Sequence, residues 1–433
     1  MRKKSLWLVI SLVLISAFVF TACQPAPTEE APMAEEAEEV EEVMEEEAEV
    51  EEAEEEEAAS DGGLQIPDAE EGMFNVAVVM LSNHDDGGWS QAQWEGINYV
   101  QDNMDGVHTA YVELVAEGAD SEQVFRALAR KGFDLIFGGS FGYMDPMLVV
   151  ADEFPNVGFV HISGYKFNGE NFGNLFGEME VMKYVAGMIA GSRAKADGAN
   201  RVGGMATFPI PEELRLFNAY ALGVAETCPD CEVDIRWIFT WHDPIVEREG
   251  ADSLFDAGSH VVMTGADTPA SALAAADREG VYGITYDWVG SCTIDECLTA
   301  PYWVWGPEFV RIAEEVQAGT YPYMADYFGA ANGGVALYGF MEGQELQPGV
   351  ASLPADDLAA IQAVMDSVAA GEFDRFDVFA GPIVDIDGNV VVPDGERMTQ
   401  ADIDQFAPGA PGFEATYGMY WWNENIIADL PDL

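Results

Sequence analysis

Five residues could together hold a flat molecule that carries amino or hydroxyl groups: Trp89, Phe141, Trp241, Asp267 and Asp287. Aromatic faces stack on heterocycles, and carboxylates accept hydrogen bonds from donors on a ligand. Each of the five lies just beyond an apolar run that reads as a strand, and this shared position is what groups them. In open parallel α/β sheets, ligands bind outside the carboxyl ends of the strands, where helix N-termini present free N–H groups. Asp86 and Ser90 flank Trp89 in the same polar turn and join the candidate set, with Tyr143 and Glu178 as secondary candidates. Aromatics serve cores as readily as sites, so any one of these could instead be a loop-rim or lobe-packing residue. Glu178 could simply bridge a hinge.

The chain carries no phosphate-binding Gly-x-x-x-x-Gly-Lys loop, no Gly-x-Ser-x-Gly elbow and no paired-acid arrangement. His84, His242 and His260 lack metal-ligand spacing. Asp385-Ile386-Asp387-Gly388-Asn389 resembles part of a calcium loop but lacks its remaining acidic ligands, and it suits a hairpin turn better. No catalytic residue, metal or cofactor is therefore expected.

The elements that must position these residues alternate regularly. An apolar strand at 76–81 ends in the turn 83–88, and a helix opens at Trp89. Strands are expected at 109–115, 134–137, 157–161 and 174–176, with helices at 121–130 and up to 153. A long helix at 181–196 leads into a second series: strands at 201–206, 233–239, 260–263 and 282–286, with helices at 211–226, 244–255 and 270–278. One more helix is expected at 308–318. Two successive series of this kind predict an α/β fold of two doubly wound lobes, and 433 residues exceed one ordinary core.

The formal charge of −60 argues against nucleic acid and anionic lipid headgroups as partners. Arg2-Lys3-Lys4 followed by the apolar run 6–20 predicts a secretory signal, too short to span a membrane well. Thr21-Ala22-Cys23 resembles a bacterial lipobox, with Phe20 where an aliphatic residue is usual, so Cys23 is expected to carry lipid; plain cleavage is the alternative. Residues 24–71 hold dense Glu and no Lys or Arg, a composition that repels itself and predicts a solvated tether. Cys228/Cys231 and Cys292/Cys297 predict two local disulfides in an exported protein. The two pairs are expected on different sides of the lobe, which disfavours one zinc site.

Several motifs resemble the substrate-binding lipoproteins of the basic membrane protein (BMP) type, from ABC importers. They are Asp86-Gly87-Gly88-Trp89-Ser90-Gln91 with Glu95-Gly96, Tyr184-Val185-Ala186-Gly187, Thr240-Trp241-His242-Asp243-Pro244, Gly265-Ala266-Asp267-Thr268-Pro269, Thr299 through Pro307, and Phe379-Ala380-Gly381-Pro382-Ile383. The resemblance runs from about residue 74 to the end. It implies a type I periplasmic-binding-protein fold, with two Rossmann-like lobes joined by a multi-strand hinge. It also implies a purine nucleoside or nucleobase as ligand and an ABC permease as partner. Asp86, Trp89 and Ser90 match the family's first binding loop, with Trp for its Phe and Ser for its Asn. Asp287 matches an Asp that contacts ribose, and Trp303 lies in a Trp-rich crossover that resembles a subfamily favouring bases such as adenine.

The expected organisation is a signal at 1–22, a tether at 23–72 and an N-lobe at 73–178 completed by about 300–328. A C-lobe at 179–299 is completed by about 329–433. The expected protein is a monomeric, non-catalytic receptor, lipid-anchored to the outer face of the cell membrane. Alternatives are a sensor domain of the same fold, a sugar or amino-acid receptor, and a nucleoside-processing enzyme.

Overall fold

The computed structural model describes residues 65–404 and 418–431. The expected signal, Cys23 and the acidic tether lie outside them. The first lobe is built on β1 (Phe74–Met80), β2 (Val107–Val112), β3 (Leu135–Gly139), β4 (Gly158–Ile162) and β5 (Phe172–Gly177). Helices α1 (Trp89–Asn103), α2 (Ala119–Lys131) and α3 (Met144–Glu153) alternate with these strands. β1 is buried over Asn75–Met80, so its near-continuous apolar run marks a central strand covered on both faces. A late strand, β11 (Ala325–Phe328), pairs in parallel with β5 and completes a six-stranded sheet in the order β11-β5-β4-β3-β1-β2.

The chain crosses to the second lobe through α4 (Met179–Ala196). There β6 (Arg201–Ala206), β7 (Glu232–Trp237), β8 (Val261–Thr264) and β9 (Tyr282–Ile284) form a parallel sheet in the order β7-β6-β8-β9. Its helices are α5 (Pro211–Thr227), α6 (Pro244–Asp256) and α7 (Ala270–Ala276). α4 and α5 pack backbone to backbone: a Cβ on Gly187 would stand 2.1 Å from the Tyr220 carbonyl oxygen, and one on Gly223 would stand 1.9 Å from that of Tyr184. Both sheets change direction at their first strand, β1 lying between β2 and β3 and β6 between β7 and β8. Such switch points open a crevice at the strands' carboxyl ends.

The chain returns through β10 (Pro301–Trp303), which pairs antiparallel with β12 (Val335–Leu337), and α8 (Trp305–Gln317) packs on the first lobe, Phe309 stacking on Phe137 at 4.2 Å. Beyond β12 the sequence reading expects little besides a hairpin, yet α9 (Ala355–Ala369) packs on α4. The hairpin itself is β13 (Ile383–Val384) and β14 (Val390–Val392). Buried charge pins this C-terminal portion down: Arg375 lies 3.8 Å from Glu180 of α4 and bonds Asp404 at 2.9 Å. Asn218 donates to the Trp421 carbonyl at 2.8 Å, and Ile426 bridges to Val233 on the edge strand β7. Cys228 is bonded to Cys231 and Cys292 to Cys297. Among the described residues no helix is long and apolar enough to cross a membrane.

Candidate ligand-binding cleft

Seven loops at strand ends converge on one small, tightly closed cavity. From the first lobe come Leu81 and Trp89 after β1, Ser140 and Phe141 after β3, and Ser163 after β4. From the second come Glu212 after β6, Trp241 after β7, Gly265 and Asp267 after β8, and Tyr286 and Asp287 after β9. The five residues that headed the sequence argument, Trp89, Phe141, Trp241, Asp267 and Asp287, all stand on its wall.

The lobes touch across this cavity. A Cβ on Gly88 would lie only 1.9 Å from the carbonyl oxygen of Asp267, so only a glycine lets the β1 turn seat against the other lobe. The Ser163 hydroxyl donates to Glu212, and the Trp288 indole N–H donates to Glu95 at 2.7 Å, both across the cleft. Ser163 and Asp287 hold left-handed backbone, with φ of 79° and 69°. Such conformations gather where surrounding structure fixes a functional geometry.

Electrostatics divide the two sides. Glu212, Asp267 and Asp287, all from the second lobe, are buried carboxyls. Burial pushes Glu212 up to about 7, and its neighbour Glu213 up to about 8. Burial likewise raises Asp267 and Asp287 well above the ordinary carboxylate range. Two buried cations lie nearby: Arg215, paired with Glu180, and Lys183 of α4, itself pushed down to about 7 by burial. Its ammonium lies 3.1 Å from the centre of the Tyr286 ring and donates to the Thr264 carbonyl at 3.2 Å. The carboxyl of Asp267 keeps Oδ2 buried without a hydrogen-bond partner, as does the Tyr286 hydroxyl.

Five expected contacts lie behind the wall rather than on it. Asp86 accepts from the backbone N–H groups of Gly88, Ser90 and Gln91, at 2.9–3.0 Å, and so fixes the turn and the start of α1. The Ser90 hydroxyl is buried and accepts from the Ser82 N–H at 3.2 Å. Tyr143 is buried against Phe125 on the other face of the sheet, and its hydroxyl donates to the Val115 carbonyl. Glu178 accepts from the Ala330 N–H at 3.2 Å, between the two lobe crossings. Trp303 donates its indole N–H to Asp287 at 2.8 Å and stacks on Trp305 at 4.8 Å, so it aims the carboxylate. Trp89 stands on the wall, but its N–H is spent on the Gly139 carbonyl at 2.7 Å, and its ring meets Trp303 and Trp305 edge-on.

Glu212, Tyr286 and Lys183 were not anticipated. Glu212 follows Pro211 at a helix start, where an acid also suits the helix dipole, so its type carries no separate signal. Lys183 sits one turn into an apolar helix, and a buried Lys is rare enough to have been a clue.

A family model described as Bmp, ABC transporter substrate-binding protein PnrA-like, matches residues 73–338. The chain is 35% identical over 312 residues to a protein of Haloferax volcanii named as a candidate ABC transporter glucose-binding protein, covering 71% of this chain and 74% of that one. It is 32% identical over 335 residues to a purine-binding protein of Brucella abortus, covering 76% of this chain and 89% of the other. The structure resembles an ABC transporter solute-binding protein of Aeropyrum pernix, with a TM-score of 0.60 at 18% identity, covering 69% of this chain and 92% of that one. One from Conexibacter woesei gives 0.54 at 23% identity, covering 69% and 97%. These likenesses establish the type I periplasmic-binding-protein fold, with its two Rossmann-like lobes.

Proposed function

We propose a ligand and a task for this chain, which belongs to the PnrA-like Bmp family of ABC transporter substrate-binding proteins. It captures a purine nucleoside or nucleobase between its lobes and delivers it to a permease, without transforming it. The observation that carries this reading is an aromatic side chain from each lobe, Phe141 and Trp241, on one cavity walled by three carboxyls. A purine between two rings gains about 1–3 kcal/mol per stacked face, by analogy with single-stranded nucleic acid. Glu212, Asp267 and Asp287 accept from exocyclic amino groups and ribose hydroxyls. No Lys or Arg is among the described residues on the wall, so a phosphate would meet carboxyls unpaired, and nucleotides are rejected.

The name of the Brucella relative agrees with this reading, while that of the Haloferax relative supports a second. Carboxyls beside an aromatic ring also suit a monosaccharide, whose hydroxyls would satisfy the same acceptors. Titration of ligand-free protein with adenine, adenosine, guanosine, inosine, their monophosphates and glucose, by calorimetry, decides between them. Micromolar binding of a purine, with none of glucose or monophosphates, is expected. Binding of glucose alone overturns the purine assignment.

The N-terminal features complete the task. Cys23 carries the lipid, the Glu-rich segment holds the receptor off the membrane, and the protein acts as a monomer on the extracytoplasmic face. Mass spectrometry of the mature N-terminus would find a diacylglyceryl Cys23; an unmodified residue there excludes the anchor.

A further inference from the structure

Beside the cavity, three loops distant in sequence bring Asp86, His242 and Asp267 together. One potential metal-ligating atom from each lies within 4.8 Å of the others. Asp86 belongs to the first lobe, following β1; His242 and Asp267 belong to the second, following β7 and β8. The two second-lobe loops are tied to each other, since the Asp267 N–H donates to the Trp241 carbonyl at 3.1 Å.

Two observations beyond proximity point to an occupant. Asp267 is only 4% exposed, yet its Oδ2 has no hydrogen-bond partner, and the buried Nδ1 of His242 has none either. The charged groups that act most strongly on Asp267 are acids: Asp86, Asp287, Glu247 and Glu213. A buried carboxyl among four acids lacks the counter-charge that buried ions ordinarily require. Asp86 is already oriented by three backbone N–H groups, as supporting hydrogen bonds orient a metal-ligating carboxylate.

We propose that Asp86, His242 and Asp267 bind a divalent transition-metal cation that clasps the two lobes together at the edge of the ligand cavity. One imidazole with two carboxylates suits zinc or manganese, and three protein ligands leave a position for water. A tetrahedral shell with bonds of about 2.0–2.2 Å holds its ligands roughly 3.4 Å apart, so a shift of at most about 1.4 Å (4.8 − 3.4) closes the triad. The second-lobe pair forms a half-site that persists in an open receptor, and Asp86 arrives only with closure. The clasp therefore favours the closed form independently of which organic ligand the cavity takes.

The test uses the full chain, stripped with chelator, with no organic ligand added. ZnCl2 and MnCl2 are titrated separately by calorimetry, and compaction is followed by small-angle X-ray scattering. One tight equivalent of at least one cation is expected, above any weak background from the Glu-rich segment. His242→Ala and Asp267→Asn should each weaken that equivalent by about 100-fold or more while leaving the background in place. Asp86→Asn should retain weaker binding but lose the cation-induced compaction. His242→Gln, checked by ligand-free melting, guards against a misfolded Ala variant. Equal binding in the parent and the His242 and Asp267 variants would place the cation on the Glu-rich segment and overturn the site. Tight binding without compaction would overturn the clasp.

Discussion

Adding one methyl group to Gly88 should separate ligand capture from the rest of the fold. The new Cβ would stand 1.9 Å from the Asp267 carbonyl oxygen, and 2.6 and 2.9 Å from the adjoining carbonyl carbon and Cα. Real Cβ contacts essentially never fall below 3.0 Å, so the two lobes must part here by at least 3.0 − 1.9 = 1.1 Å. The Trp288–Glu95 bond, now 2.7 Å, would stretch well beyond hydrogen-bonding distance, and Ser163–Glu212 would loosen with it. A hydrogen bond to a charged group contributes about 1.5–3 kcal/mol, less where solvent reaches it as at Trp288. The closed form therefore loses about 2–3 kcal/mol in Gly88→Ala, and apparent affinity falls about 30- to 150-fold. Calorimetry with the best-binding compound of the purine and glucose panel reads this directly. The ligand-free melting temperature should stay near that of the parent, because the obstruction lies between the lobes. Parental affinity in a well-folded Gly88→Ala protein would refute the reasoning, since capture would then not require this closed contact.

Other substitutions probe the walls. Trp241→Ala and Phe141→Ala should each weaken purine binding by at least tenfold with little change in ligand-free melting, and equal losses of melting temperature would make them packing residues instead. Trp303→Phe removes the N–H that aims Asp287 and should weaken nucleosides more than free bases, as should Asp287→Asn; parallel losses for both ligand types would exclude a ribose contact. Arg375→Met should destabilise the protein by about 1.5–3 kcal/mol, because Asp404 would lose a charged hydrogen bond while Arg215 and the Tyr327 hydroxyl still face it, as denaturant melts would show. Stability should also depend on pH with an unusual sign. Glu212 is raised to about 7 and Glu213 to about 8 by burial, among the charges of Lys183, Glu180 and Arg215. A carboxyl raised in the folded state stabilises fully below its unfolded value of about 4.3 and loses that contribution as pH rises through the folded value. Ligand-free melting should therefore decline from pH 5 to pH 8, and Glu212→Gln should flatten part of that decline. Lys183, depressed to about 7, acts oppositely and adds stability only above that value.

What the sequence revealed and what it hid follow from the same physics. Buried parallel strands are apolar runs, so their ends are visible, and the loops beyond them carried Trp89, Phe141, Trp241, Asp267 and Asp287 to one cavity. Which way a loop side chain turns is decided by competing partners that no local pattern encodes. Asp86 was drawn to three N–H groups, Ser90 to the Ser82 backbone, and Tyr143 to the far side of its sheet. The helix α9 escaped notice because only Ile361, Met365 and Val368 of its fifteen residues are buried, which leaves a faint stripe. Asp86, His242 and Asp267 share no spacing, because a site assembled by two lobes has none.

The division of chemistry between the lobes makes closure depend on what fills the cleft. The first lobe offers Leu81, Trp89, Ser140, Phe141 and Ser163; among the described residues the second offers every carboxyl on the wall. Parting the lobes would admit water to those carboxyls and to the Tyr286 hydroxyl, and water would satisfy them. Closing removes that water, and Asp267 Oδ2 and the Tyr286 hydroxyl find no partner in the protein. Each such group costs about 1–3 kcal/mol, comparable with what the interlobe hydrogen bonds contribute. Closure is thus near balance until Tyr286 gains a donor from a ligand and Asp267 Oδ2 gains either a donor or the cation proposed above. In the cation-free protein a neutral molecule with hydrogen-bond donors on its edge shifts that balance; an anion of the same shape does not, because it brings charge to a wall that already holds three acids.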